Sequence, residues 1–175
     1  MPTLVVEDGT GVANANSYID LTYLDAYVAD RGLTLVSTQN AKKTLALKAM
    51  DYLESFRDSF RGTKAVDTQT FQWPRKDVYI DAIEFSKSDI PEDLKRSQCQ
   101  LVVEQEKKTP LYPAPRTSSV EGIVTEKTMA PLTKKFAPMN LGMASPHKPI
   151  KIMSVWVFLN PLMSCSDKRL QTIRV

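Results

Sequence analysis

A chain of 175 residues with 42% hydrophobic residues is long enough to bury one sizeable core and leave chain over for an extension. No apolar run approaches the ~18 residues needed to cross a bilayer, and Met1-Pro2-Thr3 opens no basic and apolar signal sequence, so a protein made and used in a cytoplasm, without a membrane, is expected. The net charge of +3 conceals a polarity: residues 1–93 hold 10 Lys/Arg against 15 Asp/Glu, a net of −5, and residues 94–175 hold 13 against 5, a net of +8. If the halves separate in space, the protein presents one acidic and one basic surface.

Residues 6–18, V-E-D-G-T-G-V-A-N-A-N-S-Y, read as turn elements leading to a helix start. Asp8-Gly9 and Gly11 suit a tight turn that needs positive φ, and Asn14, Asn16 and Ser17 are able to satisfy their own backbone. Asp20 caps a first helix with Leu21, Leu24 and Val28 on one stripe and Tyr23 and Tyr27 beside it, ending near Gly32. A second, longer helix follows Thr38-Gln39-Asn40, carries Ala46, Ala49, Met50, Leu53, Phe56 and Phe60 at spacings of three and four, and closes at Gly62. Phe71-Gln72-Trp73-Pro74-Arg75 then reads as a packed loop, because proline ends any regular element and both aromatics bury large apolar areas. The same aromatics beside Arg75 and Lys76 are the feature on which a nucleobase would stack. A third helix opens at Ile90-Pro91 and runs through Leu94, Leu101 and Val102 to about Lys107.

Beyond it the composition changes. Pro110, Pro113 and Pro115 make residues 109–119 an extended, semi-rigid linker. Residues 120–129 alternate, and with 132–136 they predict a β-hairpin, followed by an irregular arm through 137–149. Ile152, Val155, Trp156, Leu159 and Leu162 recur at helical spacing in a short helix that Pro161 breaks near its end. Residues 170–175 alternate again and fit a tail strand that pairs with the same subunit or with another protein. The expected fold is mainly α: a small helical bundle with a β-hairpin and an extended C-terminal arm or tail. Its parts are a helical core over 1–108, the linker over 109–119, hairpin and arm over 120–150, and a short helix and tail strand over 151–175.

Catalytic chemistry is not expected. His147, the single histidine, lies in a polar loop with no histidine partner for a metal. Gly9-Thr10-Gly11 lacks the lysine and following helix of a phosphate cradle. Asp51 with Glu54, and Asp89 with Glu92 and Asp93, lie on helical segments where carboxylates are solvated or complement a helix N-terminus. Cys99 and Cys165 match no disulfide or metal spacing and read as free thiols. The expectation is a protein that is not an enzyme and carries no cofactor and no metal.

Five stretches carry a resemblance to a known family: residues 6–18, A-L-K-A-M-D-Y-L at 46–53, F-R-G-T-K at 60–64, Q-W-P-R at 72–75, and I-P-E-D-L-K-R at 90–96. With V-W-V-F-L-N-P-L-M at 155–163 and the tail at 171–175, they resemble the small head-tail connector, or adaptor, proteins of tailed phages. Some of those relatives carry the label DnaT-like single-stranded-DNA-binding protein. The resemblance is looser toward the C-terminus, where relatives have more glycine and this chain has Met163-Ser164-Cys165-Ser166.

The connector label implies a structural virion protein, synthesised in the host bacterial cytoplasm, that forms a ring, commonly of twelve copies, under the portal. Such a ring extends the DNA channel at the neck and docks the next tail or nozzle component. On that basis Trp156, Leu159, Leu162, Lys168, Arg169, Ile173 and Arg174 are expected to face the portal or a neighbouring copy. Lys134, Lys135, Lys148 and Lys151 are expected to meet double-stranded DNA in the channel through weak, phosphate-directed contacts. The alternative label implies a single-stranded-DNA-binding replication protein, which needs a basic groove with exposed aromatics.

Overall fold

The computed structural model describes residues 2–112, 126–129, 132–135 and 149–164. The order is α1 (Leu21–Ala29), α2 (Gln39–Glu54), a 3-10 turn (Arg57–Ser59), β1 (Thr63–Lys64), β2 (Arg75–Lys76), β3 (Tyr79–Ile80), β4 (Ile83–Glu84), α3 (Glu92–Glu106), β5 (Glu126–Met129), β6 (Leu132–Lys135), α4 (Met153–Leu159) and a final 3-10 turn (Asn160–Leu162). The strands form three antiparallel pairs, β1 with β2, β3 with β4, and β5 with β6. The described residues of 1–111 and 151–175 make one unit, and those of 112–150 a second.

The first unit is built around α3, which packs on α1, α2 and α4. Being surrounded, α3 buries Leu94, Ser97, Gln98, Cys99, Leu101, Val102 and Val103, more than one stripe of its surface. Against it α1 buries Leu24, Tyr27 and Val28, α2 buries Ala46, Ala49, Met50, Tyr52 and Leu53, and α4 buries Val155 and Leu159. The helix starts follow the sequence signals. Asp20 accepts a hydrogen bond from the Tyr23 amide at 2.6 Å, and Thr38 accepts from that of Ala41 at 3.4 Å. Pro91 stands one residue before α3, whose first turn carries Glu92 and Asp93 where the positive end of the helix dipole favours them.

The N-terminal turn is held by Glu7, whose carboxylate accepts from the amides of Gly9 at 3.0 Å and Gly11 at 2.9 Å. A glycine is required at position 9: its φ is +106°, and a Cβ there would lie 1.9 Å from the Ser88 carbonyl oxygen. The Asn16 side chain, as its sequence context suggests, bonds backbone, accepting from the Val5 amide and donating to the Thr3 carbonyl, each at 2.8 Å.

Two expectations need correction. Helix α2 ends at Glu54 and not at Gly62, because the Ser55 hydroxyl turns back onto the Tyr52 carbonyl at 2.5 Å and the 3-10 turn then swings Phe60 into the core. The C-terminal helix is no separate part. It joins the helical core, where the Arg61 amide and Nε donate to the carbonyls of Leu162 and Met163 at 3.0 and 2.8 Å. The described part of residues 94–175 in this unit packs with the N-terminal half, α3 on α1 and α2, and α4 on α3. The hairpin is present as expected, with Met129 opposite Leu132 and Glu126 opposite Lys135, while the expected tail strand and the irregular arm lie outside the described residues.

One buried side chain ties these pieces together. Gln98 of α3 accepts from the Tyr18 amide at 3.0 Å and donates to the Ser17 hydroxyl at 2.9 Å and the Ala46 carbonyl of α2 at 3.1 Å. Replacing it with leucine keeps the volume and strands the buried Tyr18 donor. Gln98→Leu is expected to cost about 3 kcal/mol in urea unfolding, at ~1–3 kcal/mol for each buried polar group left unpaired; a loss under about 1 kcal/mol would show that the contact does not hold the segment.

Candidate nucleic-acid interface

The aromatic and basic cluster expected at 71–76 is interior except for Lys76, which is exposed. Trp73 is 0% exposed and meets the rings of Phe60 and Phe85 edge-on at 6.2 and 5.9 Å. Phe71 tilts on Tyr18 at 5.1 Å. Arg75 spends its guanidinium on oxygen atoms of the fold: Nε donates to the Arg61 carbonyl and Nη2 to that of Gly62, both at 2.6 Å, and Nη1 reaches the Gln72 carbonyl and Oε1 at 3.3 and 3.1 Å. A nucleobase has no access to these groups, and the packed-loop reading is the correct one.

The residues assigned to a portal or neighbour interface divide. Leu159 and Leu162 are fully buried core residues, so they belong to no exposed face; their apolar spacing reports packing in the protein's own core. Trp156 is half-buried against Phe56 at 5.4 Å, with the Lys151 ammonium 4.4 Å from its ring centre. Lys151, two residues before α4, therefore has a cation–π partner on that helix. Lys134 and Lys135 lie on β6 at register positions opposite Lys127 and Glu126. Lys148, Lys168, Arg169, Ile173 and Arg174 lie outside the described residues.

Sequence reasoning missed an open cleft of about 500 Å3 between α1 and α3, lined by Tyr23, Tyr27, Asp30, Arg31, Glu92 and Arg96. Positions 23, 27 and 31 follow one another at intervals of four, as do 92 and 96, so each set shares one side of its helix and the turn beyond it. Tyr27 is buried, and its hydroxyl donates to Gln100 at 3.1 Å. The Arg31 guanidinium lies over the Tyr27 ring, 3.6 Å from its centre, and Nη1 donates to the Tyr27 carbonyl at 3.1 Å. Across the cleft the Tyr23 hydroxyl donates to the Glu92 carboxylate, and Arg96 faces Glu92 at 3.6 Å and Asp93 at 3.8 Å. Burial raises the Tyr23 and Tyr27 phenols above their ordinary value, assisted at Tyr23 by the Glu92 carboxylate, so both are neutral donors at physiological pH. Behind the cleft, burial pushes the Cys99 thiol up, which leaves it an unreactive core residue.

Under the Trp73 loop, the Tyr18 hydroxyl accepts from the Trp73 amide and donates to Glu54, both at 3.3 Å, and Glu54 also accepts from the Gln72 amide at 3.1 Å. Burial raises the Glu54 carboxyl above the ordinary carboxylate value, against hydrogen bonds from Gln72 and Tyr18 that lower it. The folded protein thus holds this proton more tightly than the unfolded chain does. The resulting stability is complete below the ordinary carboxylate value and is lost as pH rises through the raised one. Glu54→Gln keeps an acceptor for both donors and removes the charge. Urea midpoints are expected to be higher for the variant than for the parent near neutral pH, with the difference closing in acid; a variant equally weakened at both pH values would refute the assignment.

Residues 2–175 match the model of a family described as "Putative DnaT-like ssDNA binding protein". No match is found among the curated proteins or among the solved structures. The matched description corresponds to the second of the two labels to which the sequence points, and it says nothing of a portal, a ring or a tail. Because the match spans essentially the whole of it, the chain belongs to the DnaT-like single-stranded-DNA-binding protein family.

Proposed function

We propose that this protein binds single-stranded DNA, without catalysing a reaction, through the cleft between α1 and α3. The observation that carries this reading is the Arg31 guanidinium laid on Tyr27 at one wall of an open cleft whose other wall holds Arg96. Unpaired strands are held by flat groups on which bases stack and by cations that follow the phosphates, and the cleft brings both into one place. Family membership supports the same reading. The acidic residues at the cleft are a modest obstacle: Arg96 sits 3.6 and 3.8 Å from its carboxylate partners, all of them partly exposed, and such surface pairs contribute only ~0–1 kcal/mol. A phosphodiester displaces the pairs at that small cost, while Asp30, Glu92 and Asp93 stay beside it and oppose it by like charge that salt screens at an exposed site. Binding should weaken with salt by a logarithmic slope of about −0.7 per phosphate contact. Anisotropy of a labelled oligonucleotide is expected to show this slope, and Arg31→Ala with Arg96→Ala is expected to weaken binding at least about tenfold and flatten the slope. Unchanged binding by the double variant would move the interface elsewhere.

A second reading is favoured by a different observation. On α4, Met153 is 71% exposed and Val157, one turn on, is 68% exposed, so the helix that buries Val155 and Leu159 inward also offers an apolar strip outward. In the connector reading this strip, beside Trp156, is the face of a virion neck protein toward the portal or an adjoining copy, within a ring above a tail or nozzle component. Lys134, Lys135 and Lys148 would then line a channel for double-stranded DNA. Negative-stain imaging of the protein mixed with portal is expected to show ring-on-ring complexes that Met153→Ser with Val157→Ser abolishes; absence of the protein from purified particles by mass spectrometry would dispose of this reading.

A further inference from the structure

We infer that the Arg31 guanidinium is a stacking platform for one unpaired nucleobase, and that the cleft takes the base, not merely the phosphate chain, of single-stranded DNA. The inference rests on the proposed single-stranded-DNA function and assigns the part of the ligand that this site recognises. Three features of the cleft carry it.

First, the Arg31 guanidinium is held over a ring. Its Cζ lies 3.6 Å from the Tyr27 ring centre while Nη1 is tied to the carbonyl of that same residue at 3.1 Å. A guanidinium restrained at both points loses little rotamer freedom when a second flat group settles on it, which is the advantage of arginine over lysine at a stacked site. Tyr27 is itself anchored, since it is buried and its hydroxyl is bonded to Gln100. The support beneath the platform is therefore rigid.

Second, Arg31 is exposed and, among the described residues, forms no ion pair. An arginine serving only the fold is expected to spend its donors on the protein, as Arg75 does on the carbonyls of Arg61, Gly62 and Gln72. Arg31 instead uses one donor on the backbone and turns toward a cleft of about 500 Å3, within the ~300–1,000 Å3 of small-molecule sites.

Third, the opposite wall suits the remainder of a nucleotide. Arg96 is partly exposed and, among the described residues, paired through long contacts to Glu92 and Asp93, so its donors can turn to a phosphate set away from those two carboxylates. Tyr23, one turn before Tyr27 on the Arg31 side, reaches across to that wall with its hydroxyl on Glu92 and closes one end of the cleft. The expected occupant is one base stacked on Arg31 with its phosphodiester at Arg96, and the stack reads base, guanidinium, phenol ring. Because every base has a flat face, sequence preference should be weak.

The test uses an oligonucleotide with a single 2-aminopurine, a second with an abasic site at the same position, and the full chain as parent and as Arg31→Lys, which keeps the charge and loses the plane. If the inference holds, the parent changes 2-aminopurine fluorescence on binding and binds the abasic strand about tenfold more weakly. Arg31→Lys should lose both effects while keeping the same salt slope, with circular dichroism reporting an unchanged fold. If the parent binds natural and abasic strands alike, or if Arg31→Lys retains the fluorescence change, base stacking at this residue is overturned and single-stranded-DNA binding survives. If no oligonucleotide binds at low salt, the proposed function falls and the inference falls with it.

Discussion

The arrangement of the helical unit depends on a buried amide. Gln98 presents its oxygen to the Tyr18 amide and its nitrogen to Ser17 and to the Ala46 carbonyl, so a single side chain of α3 holds the segment before α1 and the middle of α2. A buried polar group of this kind stabilises modestly when matched and destabilises strongly when a partner is lost. It also sets position: with residues 17–18 fixed against α3, Asp20 starts α1 alongside α3, and this places Tyr23, Tyr27 and Arg31 opposite Glu92 and Arg96. The cleft is therefore a downstream result of a contact in the core.

The fold uses its aromatic and basic residues in two different ways. At 71–75 they form a lid on the core, with Trp73 between Phe60 and Phe85 and Arg75 neutralising carbonyls that the short β1–β2 pairing leaves over. At the α1–α3 cleft the same chemistry is turned outward, Arg31 lying on Tyr27 with its own exposure retained. Similar composition yields a rigid interior in one place and an accessible surface in the other. What separates them is whether the backbone supplies acceptors around the guanidinium.

Much of the helical unit was legible in the sequence. Apolar spacing located four helices, Asp20 and Thr38 marked two of the starts, and Pro161 marked the break after α4, because these signals act between residues only a few positions apart. Phe56 and Phe60 continued the spacing of α2 past its end, since periodicity does not register a hydroxyl folding back on the helix. Strands β1 to β4, at two residues each, are too short to leave a period. The cleft was illegible for another reason: it joins residues 69 positions apart, such as Tyr23 and Glu92. Its only local trace is a pair of tyrosines and an arginine at intervals of four, overshadowed by the predicted end of the helix near Gly32. Leu159 and Leu162 show the converse difficulty, because an apolar period predicts a face without telling whether the protein itself or a partner covers it.

The pairing of α4 with α3 bears on how this chain tolerates change. The described residues of 112–150 form their own unit, and the chain on either side of that stretch belongs to α3 and α4, which pack on each other, so both of its ends are moored in one body. Closing a longer loop between moored ends raises the entropy cost only logarithmically, by ~0.6 kcal/mol per doubling. The scaffold can accordingly take a longer or shorter inset at small entropic expense to itself.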